Sequence, residues 1–258
     1  MMRYLVVDIG NSTTDIAIVE NARVIMAKKV ATHAFNKIAI LGKFKYIWKN
    51  KKPHGIVLSS VVPQRTKFWV NLLEKNFQRK PLIVSHDLQL GFTFKYPALK
   101  NAGTDRFADM TGALWQHSPP LIVIDIGTAL TIELINKRAE FIGGAIAPGP
   151  VVFSYYLSKK TAQLPFINFL RIKKAPSIGR DTISSMQVGL LVGYAGMIEN
   201  LIKYLIQKNN FSTSTIYVTG GYCSIARKLS FPCIIDKFLT IKGLWRIGCL
   251  NHTIEGGN

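Results

Sequence analysis

Two short phrases of the chain combine residue types that could bind a phosphorylated ligand together with a cation. Residues 8–14 read Asp-Ile-Gly-Asn-Ser-Thr-Thr and residues 125–131 read Asp-Ile-Gly-Thr-Ala-Leu-Thr. In each phrase a glycine lets the backbone turn tightly, and successive backbone N–H groups in such a turn form a concave site for anionic oxygens. The carboxylate beside the turn would repel phosphate unless it holds a cation that the phosphate shares. The pattern therefore indicates a nucleotide bound together with a metal ion.

Apolar runs flank both phrases and predict two strand-turn-strand units. The strands are expected at residues 4–7 and 15–19 for the first copy, and at 121–124 and 131–135 for the second. A Walker-type loop would end in Gly-Lys-Ser/Thr and lead into a helix, and a dinucleotide loop needs three spaced glycines. One Asp-x-Gly phrase alone is also typical of an ordinary turn. Two copies separated by 125 − 8 = 117 residues, a domain-sized offset, favour two similar lobes with a cleft between them.

Seven ordered segments resemble the type III pantothenate kinases, members of the superfamily of actin, sugar kinases and heat-shock chaperone ATPases. The resemblance covers nearly the whole chain and is carried by residues 8–14, 59–63, 96 with 103–106, 125–131, 143–149, 181–182 and 218–221. It implies an α/β fold of two duplicated actin-like (ribonuclease H-like) lobes, with mixed five-stranded sheets, flanking helices and a cleft between the lobes. The expected lobes are residues 1–117 and 118–258, separated near Pro119 and Pro120, because consecutive prolines interrupt helix and sheet.

The resemblance also implies a reaction, the transfer of the ATP γ-phosphate to the primary hydroxyl of pantothenate. The product is 4'-phosphopantothenate, in the first step of coenzyme A biosynthesis. Asp105 is then the general base, which needs only hydrogen-bond reach of the hydroxyl proton. Arg106 is expected to bind the pantothenate carboxylate, because its planar fork suits that group. The implied substrate pocket is formed by Tyr96, Gly103, Thr104, Asp105, Arg106 and Thr182. Without the family, a loop Asp beside an Arg is more often a helix cap or a surface ion pair than a catalytic residue.

The nucleotide and cation sites are implied in the same way. Asp8 is expected to orient magnesium-bound phosphates, whereas Asp125 helps to bind a monovalent cation, K⁺ or NH₄⁺. Thr128 is expected to contact a phosphate, and Gly220 and Gly221 lie near the adenosine, where missing side chains leave room. The expected ATP-binding residues are Asp8, Ile9, Gly10, Asn11, Ser12, Thr13, Thr14, Asp15, Thr128, Gly220 and Gly221. The glycines at 143, 144 and 149 are interpreted as turn residues.

Two residues depart from the family pattern. Glu133 stands where an aspartate often follows the second loop, and Asp181 stands where an asparagine often precedes the threonine. Asp181 brings negative charge near a pocket for a carboxylate, so substrate affinity would fall unless a cation such as Arg180 compensates.

Two helices are predicted from the periodicity. Residues 105–116 are expected to end the first lobe and to place Asp105 and Arg106 in a first helical turn, where backbone N–H groups favour anions. Residues 186–207 form a long helix that is apolar on more than one face, which fits either packing under the sheet or a homodimer interface. The resemblance favours a homodimer, in which Thr182 could act across the interface.

Composition narrows the class of protein. A chain of 258 residues with 48% hydrophobic content can bury a sizeable core. We expect a cytoplasmic protein without a membrane segment, because no run reaches roughly 20 uninterrupted apolar residues and the start lacks a secretory cleavage pattern. The three cysteines are odd in number, so we expect them to be buried thiols. The five histidines do not cluster as the metal ligands of metallohydrolases do.

The net charge of +19, from 33 basic and 14 acidic residues, exceeds what ATP binding requires. Basic residues cluster with two interleaved aromatics in one segment and recur in a second: Lys43, Lys45, Tyr46, Trp48, Lys49, Lys51 and Lys52, then Arg171, Lys173 and Lys174. Such patches fit a solvated basic surface or contacts with nucleic acid, although no recognition-helix or RNA-binding motif accompanies them. The alternatives to the kinase are therefore a transcription accessory factor of the same family and a kinase for another small hydroxylated acceptor.

Overall fold

The computed structural model describes residues 2–33, 53–172, 174–211 and 215–252 of the chain. They form two compact units. Unit 1 comprises the described residues of Met1–Gln116 and Phe238–Asn258, and unit 2 comprises those of His117–Lys237.

The elements are numbered along the described residues. The strands are β1 (Arg3–Ile9), β2 (Thr13–Glu20), β3 (Arg23–Ala31), β4 (Gly55–Ser60), β5 (Leu82–Ile83), β6 (Thr93–Phe94), β7 (Leu121–Ile126), β8 (Ala129–Ile135), β9 (Glu140–Pro148), β10 (Thr215–Thr219) and β11 (Ile234–Ile235). The helices are α1 (Pro63–Phe77), α2 (Thr104–Gln116), α3 (Pro150–Lys160), α4 (Thr182–Val188), α5 (Tyr194–Asn209) and α6 (Leu239–His252). Three short 3₁₀ helices span Pro97–Asn101, Phe169–Arg171 and Cys223–Lys228.

The two units repeat one mixed-sheet topology. In unit 1 the strand order is β3-β2-β1-β4-β5, and the strands of unit 2 follow the order β9-β8-β7-β10-β11. In both, the first three strands form an antiparallel meander and the last two run parallel to the central strand. The two predicted strand-turn-strand units are confirmed as β1–β2 and β7–β8. The chain thus has an α/β fold of two duplicated actin-like lobes.

The turns of the two hairpins differ in length by one residue, and the two sequence phrases do not show this difference. Ile9 pairs with Thr14 across the first turn, whereas Ile126 pairs with Leu130 across the second. As a result, Asp8 lies opposite Asp15, but Asp125 lies opposite Thr131. Aligning the phrases letter by letter would pair Asp8 and Asp125 with threonines alike, and this holds only for Asp125.

The sheet of unit 1 is covered on both faces. On one face, Trp69, Leu72 and Leu73 of α1 pack on a core that includes Leu5, Val7 and Ile9. On the other face, α6 approaches so closely that a Cβ at Gly248 would lie 2.7 Å from the Tyr4 ring and from Val57. Burial of these apolar side chains is the main stabilising contribution.

Helix α6 also packs closely on α2, and this contact corrects the expected lobe boundary at residues 118–258. A Cβ at Gly112 of α2 would lie 2.7 Å from the Leu239 carbonyl oxygen of α6. A Cβ at Gly243 of α6 would collide with the Ala108 carbonyl oxygen of α2. Glycines on both helices therefore allow the backbones to approach, which fixes α6 in unit 1 rather than in the second lobe.

In unit 2 the apolar face of the sheet packs on the long helical segment. Leu190, Tyr194 and Ile198 contact a core that contains Ile124 and Val218. The predicted helix at 186–207 is confirmed but starts earlier, since α4 and α5 are joined by a π-helical turn at Gly189–Gly193. Within the described residues, the segment Thr182–Asn209 passes a length-and-hydropathy test for a membrane span, which core helices of soluble proteins also pass.

Two expectations for individual residues, the turn glycines and the buried cysteines, are resolved by the fold. Gly143 and Gly144 are not turn residues: both lie within β9, opposite Leu134 and Glu133. At Gly144 there is no room for a Cβ, because the Ile132 backbone lies against it. Of the three cysteines only Cys249 is fully buried, while Cys223 and Cys233 are partly exposed.

Candidate functional site

The β1–β2 turn of unit 1 is held in shape by Thr32, a buried residue directly after β3. The Gly10 N–H bonds to the Thr13 carbonyl at 3.0 Å, while the Thr32 hydroxyl donates to the Gly10 carbonyl at 2.7 Å and the Thr32 N–H donates to the Ser12 carbonyl at 3.0 Å. Thr32 thereby engages two carbonyl oxygens whose partial negative charge would repel phosphate. This residue is absent from the predicted site, and its only sequence signal is a threonine at the end of a strand.

The acidic residues of this turn occupy neighbouring positions across the sheet. Asp8 pairs with Asp15 on one side and with Ser59 on the other, so the three side chains leave the same face. Asp15 forms a salt bridge with Lys29 at 3.2 Å. Burial raises the pKa of Asp15, and the Lys29 charge opposes this shift. The donor set of Asp8 beside a tight turn fits Mg²⁺, which prefers carboxylate and phosphate oxygens.

A second loop of unit 1, residues 103–106, is anchored to the end of β4. The Thr104 hydroxyl lies 3.0 Å from the Ser59 hydroxyl and accepts the Ser60 N–H at 3.1 Å. Because Ser59 neighbours Asp8 in the sheet, one hydrogen-bonded connection ties the start of α2 to the strand beside the first loop. The role of Ser59 and Ser60 as anchors is not evident from the sequence, because it depends on the parallel register of β1 and β4.

Asp105 lies in the first turn of α2, as predicted from the sequence. Its Oδ1 accepts the Arg106 N–H at 2.8 Å, and a Cβ at Gly103 would lie 2.5 Å from the same oxygen, so a side chain there would displace the carboxylate. Burial raises the pKa of Asp105, while the hydrogen bond and charge of Arg106 oppose the shift. A partly buried carboxylate with a raised pKa is suited to accept a proton.

An aromatic cluster rests on α2 just before Tyr96 in the chain. Phe92 and Phe94 each contact Phe107 of the helix at a steep ring angle, with ring centroids 6.2 and 5.3 Å apart. Tyr96 lies two residues after β6 and is 54% exposed, so its ring is available for a ligand.

In unit 2, Asp125 is the last residue but one of strand β7 and lies against Gly220. The backbone of Gly220 has a φ of +92°, and a Cβ there would collide with Asp125 Oδ1 and with the Ile126 carbonyl. The missing side chain of Gly220 thus makes room for the Asp125 carboxylate, while its expected place near adenosine stays a prediction. Gly221 does face open space, since an added Cβ would meet nothing within 4 Å.

The surroundings of Asp125 are defined by the adjoining turn and by Tyr194. The Gly127 N–H donates to the Ala129 carbonyl at 2.9 Å, and Thr128 at the tip of the turn is exposed. Burial, and then the Asp125 charge, raise the pKa of Tyr194, whose hydroxyl donates to the Pro148 carbonyl at 3.1 Å. The negative charge of Asp125 is thus felt by the neighbouring groups of the unit.

Thr182 is the exposed first residue of α4, and Asp181 caps this helix. The Asp181 carboxylate accepts the Ser184 N–H at 2.9 Å and the Ser184 hydroxyl at 2.8 Å. These two hydrogen bonds lower the pKa of Asp181. The helix end therefore stabilises the ionised form of Asp181, the charge that departs from the family pattern.

The predicted site residues thus fall into two sets. Asp8 to Asp15, Tyr96 and residues 103–106 lie on unit 1, whereas Thr182, Asp125, Thr128, Gly220 and Gly221 lie on unit 2. Among the residues that the structure describes, no group of three or more His, Cys, Asp or Glu side chains could hold a metal ion. The lysine cluster at 43–52 and Lys173 lie outside the described residues.

The fold places the chain in a structural class that other solved proteins share. It resembles a conserved putative Baf family transcriptional activator from Campylobacter jejuni, with a TM-score of 0.60, 21% identity, and coverage of 95% of this chain and 97% of that one. It also resembles (R)-2-hydroxyglutaryl-CoA dehydratase component A of Acidaminococcus fermentans, with a TM-score of 0.59, 11% identity and full coverage of both chains. At such identities the similarity shows the actin-like fold alone.

Sequence comparison defines the family within this class. The model of the type III pantothenate kinase family matches residues 4–204. Two relatives named type III pantothenate kinase are those of Finegoldia magna, 33% identical over 96% of this chain and 97% of the relative, and Syntrophus aciditrophicus, 31% identical over 93% and 96%. The chain belongs to the type III pantothenate kinase family.

Proposed function

We propose that the chain is an ATP-dependent kinase that phosphorylates the primary hydroxyl of pantothenate to give 4'-phosphopantothenate, which would make it the first enzyme of coenzyme A biosynthesis. Family membership supports the reaction. The observation that carries the assignment of residues is Asp105, a carboxylate with a raised pKa beside Arg106 in the first turn of α2.

Asp105 is proposed to take the proton of the pantothenate hydroxyl as the γ-phosphate transfers. A carboxylate with a pKa closer to neutrality holds this proton more effectively than an ordinary aspartate does. Its Oδ1 is fixed by the Arg106 N–H, which leaves Oδ2 for the substrate. The Arg106 guanidinium would pair with the carboxylate at the other end of pantothenate. Gly103, Thr104 and Tyr96 complete the proposed pocket on unit 1. Thr182 is proposed as a further substrate-binding residue, with its hydroxyl as the donor.

The nucleotide is proposed to bind through residues of the two hairpin turns. The turn at Gly10 and Ser12 would cradle phosphates, with Asp8 holding Mg²⁺. Thr128, Gly220 and Gly221 are proposed as further nucleotide-binding residues. When bound, Mg²⁺ neutralises the charge of the β- and γ-phosphates. Asp125 is proposed to hold a monovalent cation, K⁺ or NH₄⁺, because a single carboxylate balances a single positive charge.

A homodimer is the proposed assembly, supported by apolar residues that unit 2 leaves exposed. Ile183, Val192 and Tyr204 of the long helical segment are 52%, 58% and 59% exposed, although the opposite side of the segment is buried in the core. Phe166 and Ile183 also line a cavity of about 450 Å³ that is open to the surface. A second copy would bury such side chains favourably.

We propose a cytoplasmic location without membrane or nucleic-acid partners. ATP and the coenzyme A pathway support this location. The transcription accessory alternative depends mainly on the lysine cluster at 43–52, which the described part of the chain does not include.

The proposed function is tested by an acceptor panel. The purified full chain is supplied with ATP, Mg²⁺ and K⁺ or NH₄⁺, and products are identified by mass spectrometry with pantothenate, pantothenol and simple sugars as acceptors. Pantothenol is the matched control, because it has the reacting hydroxyl but no carboxylate. We expect phosphorylated pantothenate at a much higher kcat/KM than phosphorylated pantothenol.

The Arg106→Met variant should lose most of this preference, because it lacks the cation that recognises the carboxylate. Efficient phosphorylation of a sugar but not of pantothenate would assign another acceptor. A failure to phosphorylate any acceptor would contradict the kinase assignment.

A further inference from the structure

Thr219, the last residue of β10, has a buried side-chain oxygen that the protein itself does not satisfy. The residue is 0% exposed, and its Oγ1 lies among the few buried side-chain oxygens without a hydrogen-bond partner in the described part of the chain. An unsatisfied buried hydroxyl destabilises the folded state, so a native protein that retains one generally uses it for an ion, a water molecule or a ligand.

The position of Thr219 in the sheet indicates which ligand it serves. In the parallel register of β10 and β7, Thr219 pairs with Asp125, so both side chains leave the same face from strands about 4.8 Å apart. Thr131 of β8 pairs with Asp125 from the other side. The carboxylate is therefore flanked by two threonines in one row across three strands.

The duplicated unit provides an internal comparison. In unit 1, Ser59 occupies the position beside Asp8 that Thr219 occupies beside Asp125. The Ser59 hydroxyl is engaged by Thr104 at 3.0 Å, whereas the Thr219 hydroxyl is not engaged. The same place in the two lobes thus carries a hydroxyl with a structural role in unit 1 and a hydroxyl available for a ligand in unit 2.

We infer that Thr219 Oγ1 is a second protein ligand, together with the Asp125 carboxylate, for the monovalent cation. This inference rests on the proposed function for the presence of that cation. A hydroxyl and a carboxylate both offer oxygen lone pairs, which suit K⁺ and NH₄⁺ alike. The close approach of Gly220 to Asp125 Oδ1 holds the carboxylate beside Thr219. A phosphate oxygen is a poorer occupant beside Asp125, because the two negative charges repel each other.

The test measures binding without catalysis, by thermal unfolding of the nucleotide-free full chain in KCl and in tetramethylammonium chloride at equal ionic strength. Thr219→Val removes the hydroxyl while keeping the shape of the side chain. Thr219→Ser keeps the oxygen, and Thr215→Val makes the same change four residues earlier on the same face of β10. Asp125→Asn reports loss of the cation site itself.

Two opposite effects are expected for Thr219→Val. In tetramethylammonium it should melt at or above the wild-type temperature, because an unsatisfied hydroxyl has been removed. In KCl the wild-type chain should gain stability with a half-saturating K⁺ concentration that rises about 5- to 10-fold in Thr219→Val. Thr219→Ser and Thr215→Val should respond to K⁺ as the wild type does, and Asp125→Asn should not respond.

Several results would overturn the inference. A Thr219→Val variant with an unchanged K⁺ response, or one that melts well below the wild type in tetramethylammonium, would show that the hydroxyl has another role. If Thr219→Val responds normally to K⁺ but weakly to ATP, the hydroxyl serves the nucleotide instead. A wild-type chain whose melting temperature does not respond to K⁺ would show that there is no monovalent-cation site at Asp125. Phosphorylation of pantothenate in the acceptor panel would still support the kinase.

Discussion

At the scale of single residues, the carboxylates of the two units differ in the direction in which their surroundings shift the pKa. Asp181 is exposed and satisfied by the start of α4, so its pKa is lowered. Asp15 is paired with Lys29, yet burial still raises its pKa. The pKa of Asp105 is raised as well, although Arg106 is adjacent in sequence. Catalytic groups frequently carry a charge that lowers the stability of the fold.

The raised pKa of Asp105 predicts how stability depends on pH. Because the folded-state pKa lies above the unfolded value of 3.8, the native state binds this proton more tightly. The contribution of Asp105 to stability is therefore most favourable below pH 3.8 and is lost as the pH rises through the folded pKa. Asp105→Asn removes the charge and keeps an Oδ1 acceptor for the Arg106 N–H, so we expect it to melt above the wild type at pH 7.

This difference between variant and wild type should shrink as the pH approaches 4, where the wild-type carboxyl becomes protonated. Thermal unfolding between pH 4 and pH 8, followed by circular dichroism, measures it. A variant that melts below the wild type at pH 7 would mean that the Asp105 charge stabilises the fold, contrary to the direction of the pKa shift.

At the scale of elements, the two loops depend on neighbours that lie far away in the sequence. The first turn is braced by Thr32 from the end of β3, and the 103–106 loop is anchored by Ser59 and Ser60 from β4. In unit 2, Gly220 at the end of β10 fixes the position of Asp125. Each loop is thus shaped by the strand next to its own, which is a consequence of sheet register.

Thr32→Val tests the brace of the first turn. It leaves the Gly10 carbonyl and the Thr14 hydroxyl without this partner, which should cost about 1–3 kcal/mol of stability, or roughly 2–4 °C in melting temperature for each kcal/mol. The KM for ATP should rise more than the KM for pantothenate. Thr93→Val, an exposed threonine of the same unit, is the matched control. Unchanged stability and an unchanged KM for ATP would contradict a bracing role.

The hairpins, α2 and the long helix could be predicted from the sequence, because alternation and helical periodicity are local signals. The anchors could not, since Thr32 and Ser59 gain their roles through pairing between strands that are distant in the chain. The one-residue difference between the two turns was hidden for the same reason, because it is a matter of register. Gly220 was predicted as a site residue, but only the structure shows that its missing side chain makes room for Asp125.

At the scale of the whole molecule, the chain carries two copies of one lobe with different tasks. Both repeat the same strand order, and each places an aspartate one residue before the end of its central strand. No single position in the chain separates the two units, because α6 returns to unit 1 and packs on α2 through glycines. The family match at residues 4–204 spans most of both lobes. The proposed catalytic and substrate residues are concentrated on unit 1, while unit 2 supplies Asp125 and Thr219.

The most direct test of the central claim is the turnover of Asp105→Asn with saturating pantothenate and ATP, combined with calorimetric binding of pantothenate. A matched control is Asp87→Asn, since the Asp87 side chain is 77% exposed and lies in the same unit. We predict that kcat falls roughly 100-fold or more in Asp105→Asn, while its affinity for pantothenate changes little and Asp87→Asn keeps wild-type turnover. Turnover of Asp105→Asn close to that of the wild type would contradict the assignment of Asp105 as the base for pantothenate phosphorylation.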